Sequence, residues 1–316
     1  MNILFSSVGK RVELVNTFHS AVSNLNIKTR LFGADMNPIM CPARFVLDDC
    51  FKVPAVTSGN FITEIIKICV KNEVTLIIPT IDTELLVYAK YREELLRHNI
   101  EVVLSEIELI TSCRDKRLTN RLFSALTINV PEERDIANPV FPIFAKPYDG
   151  SLSKDLHVIS TKEDITSEIL ANEKLIFMEL IDTKRFKEYT VDAYYSKNGE
   201  MVCVVPRERL AIRAGEMNQG RTDKGSIYPH LKSRMSKLKG ARGCITAQFF
   251  YDQLTEELKG IEINPRFGGG YPLTYQSGAT YSDYILKEYI LNEKIGAFEG
   301  WTHNLKMLRY DAAFFF

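Results

Sequence analysis

Residues 260–270 read GIEINPRFGGG, so a carboxylate, an amide and a guanidinium fall at Glu262, Asn264 and Arg266, with three glycines behind them. The alternation of a strand puts Ile261 and Ile263 on one side and Glu262 and Asn264 on the other. Two neighbouring hard oxygen donors suit Mg²⁺ or Mn²⁺. Pro265 ends the strand, and Arg266 beyond it is free to reach a phosphate. Upstream, TAQFFYD offers a third oxygen donor, Gln248. A turn in QLTEELKG would fold the two strands as a hairpin and bring Gln248 beside Glu262. Alone, a Glu-x-Asn pair on a strand is more often a solvated face. The added Gln and Arg favour a metal and phosphate site.

Three further stretches bear chemistry. In IFAKPYDGSLSKD a strand delivers Lys146, Pro147 turns the chain, and Gly150 and Ser151 open a small loop whose N–H groups can approach phosphate oxygens. In IFMELIDTKRFKEYTVD a buried strand ends at Glu179, Leu180 and Ile181, and Glu188 opens the next. A strand end exposes backbone groups that can read an adenine edge, and an acid nearby can bind ribose. Taken alone, an ordinary strand–loop–strand with a surface acid is the better explanation of that stretch. In PRERLAIRAGE, Arg207, Arg209 and Arg213 share a strand face. Such a face needs an anion opposite, from a phosphate or substrate carboxylate, or from cross-strand acids. Both readings stay open. Asp82 is a substrate-pocket candidate, and equally a helix cap.

The elements that must position these groups fall into two textures. Up to about residue 112, strands alternate with helices: NILF, KTRLFGAD, VTLIIPT and IEVVL against VGKRVELVNTFHSAV, FITEIIKICVKN and DTELLVYAKYREELL. That order predicts a doubly wound parallel sheet, with ligands at the carboxyl ends of its strands, in FSSVGKR, GADMNP and PTIDTE. Beyond residue 113 the chain becomes strand-rich and antiparallel in flavour, with a hairpin signal at KNGE. The terminal YDAAFFF reads as a strand or sheet edge.

Composition narrows the function classes. The 316 residues suggest about two domains, or one with a large extension. Forty basic residues balance forty acidic ones, which gives no global pull toward nucleic acid or anionic membrane. Six scattered cysteines and five isolated histidines form no zinc or disulfide pattern. No apolar run spans a bilayer, and the N-terminus is too short for a signal core. A cytoplasmic protein is expected. The first turn, SSVGK, lacks the G-x-G-x-x-G of a dinucleotide site, which disfavours a dehydrogenase.

Taken in order, RDKRLTNRL, FAKPYDGSLSK, FMELI, KEYTVD, AQFFYD and EINPRFGGG resemble the ATP-grasp superfamily. The style is that of the branch holding the carbamoyl-phosphate synthase large subunit and the pyrrolysine-biosynthesis ligase. The resemblance implies a mixed α/β and α+β fold in three parts. These are a parallel Rossmann-like domain over 1–112, a lid region with its flanking helix over 113–185, and a mainly antiparallel domain with the metal site over 186–316. It implies that Lys116 and Lys146 contact ATP phosphates, with Gly150 and Ser151 in the lid loop. Glu179, Leu180 and Ile181 would read adenine, and Glu188 would bind ribose. Gln248, Glu262 and Asn264 would hold two Mg²⁺ (or Mn²⁺) ions, and Arg266 would steady the transferring phosphoryl group. The family loop often continues Ser-Lys-Gly, whereas Asp155 follows Ser153-Lys154 here. The implied activity is ligation of a small carboxylate to an amine through an acylphosphate. Phosphorylation of a carboxylate or carbamate without ligation, and nucleotide binding without turnover, are the alternatives. Substrate identity and oligomeric state stay open, a homodimer included.

Overall fold

The structure is a computed structural model and describes residues 1–150, 155–213 and 215–316. Ser151 lies outside the described residues.

In chain order, the first part holds β1 (Asn2–Ser6), α1 (Val12–Asn24), β2 (Leu31–Asp35), β3 (Asp49–Lys52), α2 (Phe61–Lys71), β4 (Val74–Pro79), α3 (Asp82–Lys90), α4 (Arg92–Arg97) and β5 (Glu101–Val102). Its strands form one parallel sheet, ordered β3-β2-β1-β4-β5. The apolar runs of β1 and β4 follow from that placement, because a parallel strand is covered on both faces. Ile3 and Phe5 enter one core with Leu14 and Phe18 of α1. Leu4, between them, enters another with Ile65 of α2 and Tyr88 of α3. The first core also takes Tyr194, Phe267, Tyr281 and Trp301 from the second half, so the two halves share it.

Next come α5 (Ile107–Arg114), α6 (Lys116–Ala125), β6 (Ile143–Pro147), β7 (His157–Ile159), α7 (Ser167–Ala171) and β8 (Leu175–Glu179). The three strands make a small antiparallel sheet, ordered β7-β6-β8, around Ile143, Ala145, Ile159, Ile169 and Leu175. The last part holds β9 (Lys187–Tyr195), β10 (Met201–Arg213), β11 (Glu216–Thr222), α8 (Ile227–Met235), β12 (Gly243–Asp252), β13 (Glu257–Asn264), α9 (Tyr271–Gln276), α10 (Tyr281–Tyr289) and β14 (Lys306–Leu308). Its sheet is antiparallel throughout, in the order β13-β12-β9-β10-β11-β14.

The large sheet divides its residues by parity. Tyr189, Val191, Ala247, Phe249 and Ile263 pack with Leu109 of α5, Phe123 of α6 and Leu231 of α8. Their alternating neighbours point to the opposite face. Gly260 lets this packing close, since a Cβ there would lie 2.5 Å from the Phe123 ring.

Several expectations are corrected by the fold. The run 82–97 is two helices broken at Tyr91, not one. Asp82 is not the cap of α3: Ile81 holds that position, and the buried Glu84 carboxylate accepts from the N–H groups of Thr80 (2.6 Å) and Ile81 (3.1 Å). Helix α5 and strand β3 lacked a clear sequence signal. Residues 309–316 form no strand. Phe314 and Phe316 instead lie against Phe45, with ring centroids at 4.7 and 5.3 Å.

Candidate functional site

The hairpin expected from the sequence sets the site. β12 and β13 pair with Gln248 directly opposite Glu262 and Thr246 opposite Asn264. Strand β9 continues both rows, placing Thr190 beside Gln248 and Asp192 beside Thr246. The site-facing side of the sheet therefore carries Glu262, Gln248 and Thr190 in one row and Asn264, Thr246 and Asp192 in the next. Glu262 accepts from the Asn264 amide at 2.9 Å. One carboxylate and two amides are a hard-oxygen set, and they fit a Mg²⁺ that keeps water or phosphate oxygens in its other positions. Among the described residues, no group of three or more His, Cys, Asp or Glu side chains offers a rival metal site.

Two lysines, from the small sheet and its flanking helix, lie near enough for the Glu262 charge to act on them. Lys146, on β6 of the small sheet, is only 7% exposed. Burial pushes its pKa down to about 8, Lys116 pushes in the same direction, and Glu262 opposes both. Lys116, at the start of α6, is likewise lowered by burial first, with Glu262 again opposing. Both cations thus feel the Glu262 charge, although they come from different elements. The Lys116 ammonium donates to the Gly150 carbonyl (2.6 Å), and its own N–H to the Tyr148 carbonyl (2.8 Å). Lys116 therefore ties the backbone at Tyr148 and Gly150 to the start of α6. Asp155, at the loop's far end, is exposed and faces solvent.

At the end of β8, Glu179 accepts from the Glu132 N–H at 3.0 Å and pairs with Lys259. A hollow of about 560 Å³ borders that pair, lined in part by Ile128, Asn129 and Val130. A larger hollow of about 720 Å³ lies over α7 and β7 and holds none of the convergent groups. Leu180 and Ile181 follow at half-buried positions. Burial raises the Glu188 pKa, Arg209 works against it, and Glu262 adds to it.

The β10 arginines find acids, which decides between the two readings of that strand. Arg207 is fully buried, with Nη2 2.8 Å from Asp192. Arg209 pairs with Glu188 at 3.0 Å. Arg213 is exposed on Asp311, and two register shifts near Ala211 turn it away from the other two. The three do not form one open substrate face.

The glycines after Arg266 have a steric cause. A Cβ at Gly268 would lie 2.7 Å from Thr246, one at Gly269 3.1 Å from the Glu216 carboxylate, and one at Gly270 1.9 Å from Arg207 Nη1. The loop runs flat over the polar face of the sheet. Arg266 meanwhile leaves the strand and reaches Asp82 at the mouth of the parallel sheet, at 2.5 Å.

Sequence reasoning missed Asp192, Glu216, Arg309 and Lys259, whose partners are distant in the chain. Arg11 was visible only as part of a turn at the carboxyl end of β1.

The family described as PylC-like, N-terminal domain, matches residues 3–103. The family described as ATP-grasp in the biosynthetic pathway with Ter operon matches residues 171–309. No curated protein sequence matches the chain. The biotin carboxylase domain of Hydrogenobacter thermophilus 2-oxoglutarate carboxylase, solved with MgADP, ADP and bicarbonate, superposes with a TM-score of 0.74 at 13% identity, over 96% of this chain and 73% of that one. N5-carboxyaminoimidazole synthetase from Staphylococcus aureus, solved with ADP, gives a TM-score of 0.71 at 13% identity, over 94% and 78%. An L-amino acid ligase from Bacillus licheniformis gives 0.66 at 14% identity, over 91% and 73%.

Proposed function

The chain belongs to the ATP-grasp superfamily, and from that premise we propose that it is an ATP- and Mg²⁺-dependent carboxylate–amine ligase working through an acylphosphate. The observation that carries this reading is the convergence of Lys116 and Lys146 on Glu262 across the cleft between the small and large sheets. Two buried-side lysines opposite an oxygen-donor row are what a polyphosphate with its counter-ion requires.

The residues then divide the work. Lys146 and Lys116 hold the phosphate oxygens. The backbone of Glu179, Leu180 and Ile181 reads the adenine edge, and Glu188 meets the ribose. Gln248, Glu262 and Asn264 would hold Mg²⁺, which would neutralise phosphate charge when bound. Arg266 stabilises charge as the substrate carboxylate displaces ADP from the γ-phosphate. An amine then attacks the acyl carbon, phosphate leaves, and the amine loses its proton. Residues 151–154, at the centre of the lid expected over 147–155, lie outside the described residues. No protein nucleophile takes part. The ADP complexes and amino acid ligase among the similar structures support this reading.

The test is ADP release with candidate carboxylates, with and without an amine. Release that requires both supports ligation. Release without amine, with an acylphosphate trapped as the hydroxamate, points to phosphorylation alone. Mg-ATP binding with no release from any carboxylate points to a binding protein.

A further inference from the structure

Next to Arg266, four cations and two carboxylates meet where the β1–α1 turn, the glycine loop and the start of β11 come together. Lys10 and Arg11 come from the turn, Arg266 from the end of β13, and Arg309 from beyond β14. Asp82 and Glu216 are the carboxylates. Each carboxylate already has a partner. Asp82 takes Arg266 at 2.5 Å, and Glu216 takes Arg309 Nη1 at 2.7 Å. Arg309 Nη2 also donates to the Gly269 carbonyl at 2.6 Å.

Among the described residues Arg11 makes no ion pair, although Glu216 and Asp82 lie near enough to favour its charge. Among the described residues the one hydrogen bond of its guanidinium is to the Thr80 carbonyl, at 3.3 Å. A guanidinium has five N–H donors, so most of its capacity is unused. Arg11 is nonetheless half-buried, and its charge faces Arg266, Glu216, Asp82 and Arg309. Lys10, exposed beside it, forms no hydrogen bond or ion pair among the described residues. Burial, and then the Arg266 charge, lower the Arg11 pKa to about 10, which leaves it a cation at neutral pH. Packing cations together without an acid costs free energy unless an anion arrives. Arg11 and Lys10 are thus two positive charges of this cluster with no ion-pair partner among the described residues.

We propose that this cluster selects a carboxylic acid carrying a second anionic group, a carboxylate or a phosphate, which Arg11 and Lys10 receive while Arg266 attends the carboxylate that reacts. This rests on the ligase reading above and adds the substrate class. Arg11 is then a specificity-determining residue. Its place at the carboxyl end of β1 is where ligands gather in parallel sheets. Gly269 is part of the same device, because its missing Cβ leaves room for the Glu216 carboxylate.

The experiment is calorimetry on the full chain with saturating MgADP. The probes are acetate, succinate and phosphonoacetate, titrated into wild type, Arg11→Gln and Arg11→Lys. The expected result is that at least one dianion binds wild type about tenfold or more tighter than acetate. That advantage falls to near unity in Arg11→Gln and returns largely in Arg11→Lys. The stronger of the two dianions identifies the second group as carboxylate or phosphate. Equal binding of all three probes to wild type, or an advantage that survives in Arg11→Gln, overturns the inference. MgADP affinity comes from the same samples. If wild type fails to bind MgADP, the ligase reading falls and takes this inference with it. If MgADP binds and the dianion preference is absent, only the inference falls.

Discussion

Arg266 and Asp82, 184 positions apart in the chain, stand 2.5 Å apart at the mouth of the cleft. The pair joins the loop after the metal-ligand strand to the turn that opens α3. It aims the arginine of EINPR at the carboxyl ends of the parallel strands. Arg266→Ala should lower kcat by about 100-fold with little change in MgADP affinity, as expected for a group that acts on developing charge. Asp82→Asn, which frees the guanidinium without removing it, should cost about tenfold. Steady-state kinetics beside nucleotide calorimetry separates the two effects. A parallel loss of nucleotide affinity in Arg266→Ala would contradict the assignment.

Lys146 makes a pH prediction. Burial lowers its pKa to about 8 from the usual 10.5. Below about pH 8 it is a cation and holds phosphate, so kcat/KM for ATP should fall as pH rises through that value. In Lys146→Met the fall should vanish and the KM for ATP should rise at all pH values. The sign for stability is opposite. Between about 8 and 10.5 the unfolded chain keeps a proton that the folded chain has lost, so this group makes folding more favourable as pH rises. At pH 7 the native state carries the cost of a buried cation, so Lys146→Met should melt no lower than wild type. A lower melting temperature would mark Lys146 as a structural residue.

Asp192 and Arg207 are both fully buried, and Asp192 also accepts from Thr246 (2.8 Å) and Thr274 (2.6 Å). Removing one member leaves the other unpaired. Asp192→Ala should therefore destabilise the protein by about 3–5 kcal/mol in denaturant unfolding. A loss below about 1 kcal/mol would show that the pair is not a buried unit.

Gly270→Ala tests the glycine loop. The new methyl would fall on the Arg207 guanidinium, so one of the two must move. Under the proposed division of the site, with the loop on the substrate side, turnover should drop while MgADP binding persists. Gly260→Ala is the contrasting case. It presses on the Phe123 ring in the core and should cost about 1–3 kcal/mol of stability. Wild-type turnover in Gly270→Ala would contradict the close packing of loop and arginine.

Much of this was legible where local pattern controls geometry. The alternation of GIEIN and the short QLTEELKG turn are enough to bring Gln248 near Glu262, but the register that the turn sets from Asp252–Glu257 to Phe249–Gly260 would put Gln248 opposite Ile261, and it is a bulge between Gln248 and Phe249, with no sequence mark, that pairs it with Glu262. The apolar runs of β1 and β4 likewise announce a parallel sheet covered on both faces. The arginines of β10 were not legible. Their partners Glu188, Asp192 and Asp311 lie on another strand and a distant segment, and the register shifts near Ala211 leave no sequence mark. Arg11 and Arg309 belong to the same class, since tertiary packing alone brings them to Arg266 and Glu216. The terminal aromatics misled in the other direction. They resemble a strand, yet Phe314 and Phe316 pack on Phe45 without joining a sheet.

The most direct test of the central claim is Mg²⁺-dependent ADP release by wild type and by Glu262→Gln, over a panel of carboxylates with an amine present. Glutamine keeps the size and removes the charge that both Lys116 and Lys146 face. The account predicts that Glu262→Gln folds with an unchanged circular dichroism spectrum and loses metal-dependent release by at least about 100-fold. Unchanged ADP production in that variant would contradict it.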